Sequence, residues 1–183
     1  MIKIEHKAHV PPRKIYLLHC APRPGADDME QTKEELRAEV RYSQRLCQRT
    51  ARLYRRVRTT STFLRVTAGS AALVSVASNL PPEFALLSAT AFSVFAAVNR
   101  AIRPAEWIAQ NDSDVQKYAV LLAKSEDLEV PSLRQLIAEA QQTDAPEVEP
   151  LRDVAFNDVM REINREDALI PISRAQKFLG AIA

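Results

Sequence analysis

The chain has 183 residues, of which 46% are apolar, 6% aromatic and only three glycine, and its formal net charge is +2. That length fits one domain or a domain with an appendage, and the scarcity of glycine beside abundant Ala, Leu, Arg and Glu favours helices over sheet. Two cysteines on dissimilar segments, Cys20 and Cys47, exclude a disulfide framework and a zinc-ribbon pattern.

Residues 1–26 read as an N-terminal arm. The opening MIKIEHKAHVPPRK has no apolar core of the kind a cleaved signal peptide carries. With free thiols, this places the parts outside any membrane in a reducing cytoplasm. IKIEH and KIYLLH read either as two short strands around Pro11 and Pro12 or as a loosely packed arm. His6, His9, His19 and Cys20 fall in this arm without the fixed spacing of a metal site or a nucleophile pair. No metal or other cofactor is expected.

A basic helix is expected over residues 27–62, starting near Asp27 or Asp28, where an acid can cap it. No proline or glycine interrupts positions 27–68. Leu36, Val40, Ser43, Cys47, Thr50, Tyr54, Val57, Ser61 and Leu64 recur close to a 3.6-residue period and predict the buried face. Arg41, Arg45, Arg49, Arg52 and Arg56 follow a second stripe. No acid occurs between Val40 and Pro82, whereas residues 126–167 hold twelve acids against four arginines. The stripe therefore has two candidate contacts, anionic lipid headgroups and the acidic C-terminal segments. Its lack of aromatic interleaving argues against nucleic acid.

Residues 63–103 predict a transmembrane helical hairpin. Residues 66–82 and 84–99 form two charge-free runs of small and apolar residues. Each is close to the lower limit of about 17 residues for a membrane span. The corner between them, ASNLPPEFA, carries Asn79 to end one helix, Pro81 to stop it, and Pro82 with Glu83 to start the next. Basic residues flank the far ends of both runs and avoid the corner, which predicts both termini on the cytoplasmic side. Arg65 and Arg100 are expected to snorkel toward the headgroups. Thr67, Ala71, Ser75 and Asn79 recur every fourth position, as do Ala85, Ala89, Ser93 and Ala97. Small residues at this spacing fit close helix packing in lipid, or a weakly polar stripe lining a water path in an oligomer. The rival reading is a buried hairpin in a soluble bundle.

Further helices are expected over residues 104–142 and 143–183. Pro104 predicts a kink where the chain leaves the bilayer, and Trp107 fits an interfacial anchor or a core tryptophan. Asn111 to Asp114 read as a break or a fresh cap. Val115, Tyr118, Ala119, Leu122 and Ala123 form one apolar stripe, and Leu133, Leu136, Ile137 and Ala140 another after Pro131. TDAPEVEP at 143–150 reads as a linker to a helix bearing Ala155, Phe156, Val159, Met160 and Ile163. Pro171 is expected to start a short last helix. The whole reading is an all-α protein with a transmembrane hairpin continued by cytosolic helices. No phosphate-cradling glycine loop, GxSxG or HExxH is present, so an enzyme is not expected.

The order of long basic helix, two-helix hairpin, kink and cytosolic helices, with Tyr118 and the AFNDV segment at 155–159, resembles the SLATT family. These are the bacterial "SMODS and SLOG-associating two-transmembrane effector" proteins. The resemblance covers about residues 27–167, and the first 25 residues have no counterpart in it. It implies an effector that oligomerises and permeabilises the inner (cytoplasmic) membrane in nucleotide-signalled antiphage defence. It also implies a partner, a nucleotide second-messenger synthase or sensor, since no separate sensing domain is visible here. The alternatives are a non-conducting membrane-anchored structural or adaptor protein, and a soluble helical bundle.

Overall fold

A computed structural model of the chain describes residues 32–78 and 81–183. The expected strands or arm over 1–26, the helix start at Asp27 or Asp28, and Asn79 lie outside the described residues. All regular structure among the described residues is helical: α1 Lys33–Ala77, α2 Pro82–Ile102, α3 Pro104–Lys124, α4 Val130–Gln142, α5 Arg152–Glu162 and α6 Arg174–Ile182, with 3₁₀ turns at Glu149–Leu151 and Glu166–Ala168.

α1 begins at Lys33. Thr32 is its N-cap, in an extended conformation, and forms a reciprocal capping box with Glu35. Its 45 residues then run unbroken, about 68 Å at 1.5 Å per residue. α2 starts with Pro82 and Glu83 in its first turn, as the corner chemistry predicts.

α2 and α3 together run back along α1. Ser61 meets Asn99, Arg55 meets Asp112, and Lys33 donates to the Glu126 carbonyl. The break between α2 and α3 falls at Arg103, which is left-handed at φ 47° and ψ 50°. Pro104 follows at the first position of α3, where its missing N–H leaves no bond unmade.

The two ends of this antiparallel pair differ. At the α1 N-terminal end, α4, α5 and α6 pack against it. Leu36, Val40 and Cys47 of α1 join Tyr118, Leu121, Leu133, Ile137 and Ala140 in one core. Leu46, Leu151, Ala155 and Ala183 form a second beside it. At the other end, among the described residues, α1 and α2 pack only on each other.

Two sequence expectations need correction. Asn111 to Asp114 do not break α3. Asn111 is buried and donates 2.8 Å to the Trp107 carbonyl one turn back, and Asp114 is buried against Lys117 and the Ala145 N–H. Polar groups satisfied by tertiary partners continue a helix that the same groups would cap at the surface. The segment 143–150 joins α4 to α5 as expected of a linker, and its Asp144 and Ala145 are fastened to α3. The last helix begins at Arg174, capped by Ser173 with Gln176, three residues after Pro171.

Candidate functional site

The end where, among the described residues, α1 and α2 pack only on each other is the unusual surface. Phe63, Val66, Leu73, Val74 and Val76 of α1 and Phe84, Leu86, Leu87, Val94 and Val98 of α2 are all exposed. Removing one such side chain from water contributes roughly 1.5–3 kcal/mol, and a contiguous apolar surface of this extent marks a binding or membrane-contact face. α2 has no buried residue. Its 21 residues span about 32 Å, close to the ~30 Å hydrocarbon layer. The segment opening at Pro82 is, among the described residues, the one helix long and apolar enough to cross a membrane. Of the two expected spans, α1 does not meet that measure. Its apolar end carries Arg65 and is rich in small polar residues.

The seam between α1 and α2 is made of small residues, but not chiefly of those the spacing singled out. Ser75 is buried and Ala85 half-buried, whereas Thr67, Ala71, Ala89, Ser93 and Ala97 are exposed. On α1 the half-buried positions are Leu64, Arg65, Ala68, Gly69 and Ala72, one step round the helix. The Arg65 guanidinium lies 5.7 Å from the centre of the Phe92 ring, within cation–π range. The Ser61 hydroxyl donates 3.2 Å to the Asn99 side chain and so links the helices at the base of the apolar end. Hydroxyls farther along are satisfied locally. Ser75, Thr90 and Ser93 each donate to the carbonyl four residues back, at 2.8–2.9 Å. That removes most of the cost of placing a hydroxyl in an apolar medium.

The arginines divide along the length of α1. Near the bundle they meet acids. Arg37 pairs with Glu126 at 3.1 Å, Arg45 with Glu162 at 2.7 Å, and Arg49 with Asp158 at 2.5 Å while also donating to the Gly180 carbonyl. Arg55 meets Asp112. So the acidic C-terminal segments hold Arg45 and Arg49. Arg41 is half-buried, and Arg52 and Arg56 are exposed. Trp107 is half-buried in the first turn of α3, near Arg103.

The AFNDV segment is a structural joint. Ala155 and Val159 are core, and Asp158 takes Arg49. Buried Asn157 clamps the backbone of Ile170 from both sides: its amide donates to the carbonyl at 2.7 Å, and its side-chain oxygen accepts the N–H at 2.8 Å. A second joint that sequence reasoning missed centres on Lys117. Its ammonium lies 2.8 Å from Asp114 and 2.7 Å from Asp144, and it donates to the Ala140 carbonyl. Tyr118 donates to the other Asp144 oxygen. Burial acts to lower the Lys117 pKa, but the hydrogen bonds to Asp114 and Asp144 outweigh it and leave it raised.

No family model, curated protein or solved structure matches the chain.

Proposed function

We propose that this protein is a membrane effector whose α1–α2 end inserts as a hairpin into the inner membrane of a bacterium, assembles with further copies and permeabilises the bilayer. The observation that carries this reading is the bare apolar end: two helices that no other described element covers, beside a bundle with a buried core of its own. Apolar side chains facing outward all round a helix pair are unfavourable in water and favoured in lipid. With basic residues at the base of the hairpin and Glu83 at its tip, both termini lie in the cytoplasm. The resemblance to SLATT proteins supplies the setting: antiphage defence triggered through a nucleotide second-messenger synthase or sensor. A gene for such a partner next door supports that setting.

A non-conducting anchor or adaptor is the second reading. It is favoured by the hydroxyls of Thr90 and Ser93, which are turned back onto their own helix rather than offered to a water path. Reconstitution separates the two. The full chain in vesicles loaded with a self-quenching dye should release it. Retention of dye by vesicles that have taken up the protein supports the anchor. Recovery of the protein in the soluble fraction of lysed cells ends both readings and leaves the soluble bundle. A cysteine at Glu83 should react with an impermeant reagent from outside the cell.

A further inference from the structure

We propose that Arg56, Arg58, Arg100 and Arg103 form a collar that binds the phosphates of anionic phospholipids. This deepens the membrane reading above and rests on it.

The collar follows from helix register. The Ser61–Asn99 hydrogen bond fixes one level of the antiparallel pair, and it lies where the apolar end begins. Arg100 follows Asn99 directly, and Arg103 is one turn farther along. Arg58 and Arg56 lie three and five residues before Ser61. At 1.5 Å per residue, all four Cα positions fall within about 8 Å of one level along the pair. All four are exposed. They come from both members of the antiparallel pair, so the charge at this level is not confined to one helix.

Among the described residues, no acid lies within ion-pair distance of Arg56, Arg58 or Arg100. Arg103 meets Glu106 at 3.4 Å, and both side chains are about two-thirds exposed. Asp112, the next acid along α3, is taken by Arg55. The arginines deeper in the bundle, Arg37, Arg45 and Arg49, already have acidic partners. Among the described residues, the positive charge of Arg56, Arg58 and Arg100 therefore has no acidic partner at the level where an inserted hairpin meets headgroups. A guanidinium is suited to that layer, because its planar fork matches two phosphate oxygens.

The test uses the full chain. Flotation is measured with vesicles of phosphatidylcholine alone and of equal parts phosphatidylcholine and phosphatidylglycerol, in low and high sodium chloride. The unaltered protein should prefer the anionic vesicles, and salt should erase the preference. Arg56→Gln with Arg58→Gln should weaken anionic binding by on the order of 10-fold or more and leave binding to phosphatidylcholine alone unchanged. Arg→Lys at the same two positions should retain most of it. Arg134→Gln with Arg174→Gln, exposed on the bundle, serves as a charge-matched control and should change little. Inorganic phosphate at matched ionic strength should compete no better than chloride, because the source is the membrane and not the free ion.

Equal flotation with both vesicle types overturns the collar while leaving the hairpin reading standing. Flotation with neither overturns both. An equal loss in the control pair reduces the effect to net charge and overturns the collar. So does displacement by inorganic phosphate alone. Loss of duplex DNA binding in the Gln pair, with vesicle binding intact, would assign the arginines to nucleic acid instead.

Discussion

A methyl group added at Gly180 and one added at Gly69 meet different neighbours. At Gly180 a Cβ would stand 2.9 Å from Cγ1 of Val154, a stiff β-branched side chain, while the Gly180 carbonyl is held by Arg49. Gly180→Ala should therefore cost about 1–3 kcal/mol, the range for overpacking. At Gly69 the nearest atom is Phe92 Cδ2 at 3.5 Å, an ordinary contact. Gly69→Ala should be neutral or stabilise the helix by roughly 0.5–1 kcal/mol. Thermal unfolding monitored by circular dichroism separates the two, and a damaging Gly69→Ala would mean the helices approach closer than this geometry allows. Cys47 gives a pH prediction. Burial, and after it the Asp144 and Asp114 carboxylates, push its thiol up to about 12 from an ordinary value of 9.0. Below pH 9 the thiol is protonated in both folded and unfolded chains and pH has no leverage through it. Above pH 9 the unfolded chain releases the proton first, so stability falls as pH rises toward 12. Cys47→Ala should flatten that part of the stability profile. In a Cys20→Ser background, the native thiol should resist an aromatic disulfide reagent until the protein unfolds.

At the level of elements, periodicity found the buried face of α1 but not its partners. Leu36, Val40, Ser43, Cys47, Thr50 and Ser61 all point inward as their spacing predicts. The arginine stripe was equally visible. Which acids it meets depends on where α5 docks, and no local pattern encodes that. Asn111 and Asp114 show the opposite failure. Their residue types are those of a helix end, and only the fold supplies the Trp107 carbonyl, Lys117 and the Ala145 N–H that keep them inside α3. The turn after α5 was legible in principle. Asn164 takes the left-handed conformation at φ 56°, and the Arg165 N–H bonds back to the Met160 carbonyl, a Schellman-type ending for which asparagine is a common substitute for glycine. The unequal depth of the arginine pairs yields a test. Arg45 and Glu162 are more than a third exposed or nearly so, and such a pair contributes about 0–1 kcal/mol. Arg49 and Asp158 are about a fifth exposed or less, and Arg49 also ties α6 through the Gly180 carbonyl. Arg49→Ala should cost about 1.5–3 kcal/mol, the range for charged hydrogen bonds, and Arg45→Ala less than 1. Urea titration checks the order, and equal effects would mean that the two pairs are solvated alike.

For the whole molecule, the seam and the outward face of the hairpin are separate surfaces, and that separation decides how the small residues are to be tested. Every-fourth spacing identified two stripes but could not fix how each helix is rotated about its axis. That rotation is set by what the helix touches: Ser61 on Asn99, Gly69 and Arg65 on Phe92. It turns Ala68, Ala72 and Ser75 toward α2 and leaves Ala71, Ala89, Ser93 and Ala97 outside. In lipid, helix pairs gain nothing from hydrophobic burial and depend on close packing. Ala72→Leu places bulk in the seam of one chain. It should cost about 1–3 kcal/mol and disturb the hairpin even in a monomer, seen as weaker protection of α2 amides from hydrogen exchange in detergent. Ala89→Leu places the same bulk on the outer face. It should leave that protection unchanged and, on the effector reading proposed above, act only on contacts between copies, shifting assembly to smaller species in crosslinking and reducing dye release in step. Ser93→Ala removes a hydroxyl already satisfied by the Ala89 carbonyl and should be silent in both measurements. If Ala89→Leu instead loosens the hairpin while assembly persists, the outer face is not where copies meet. The effector reading would then need a different surface for oligomerisation.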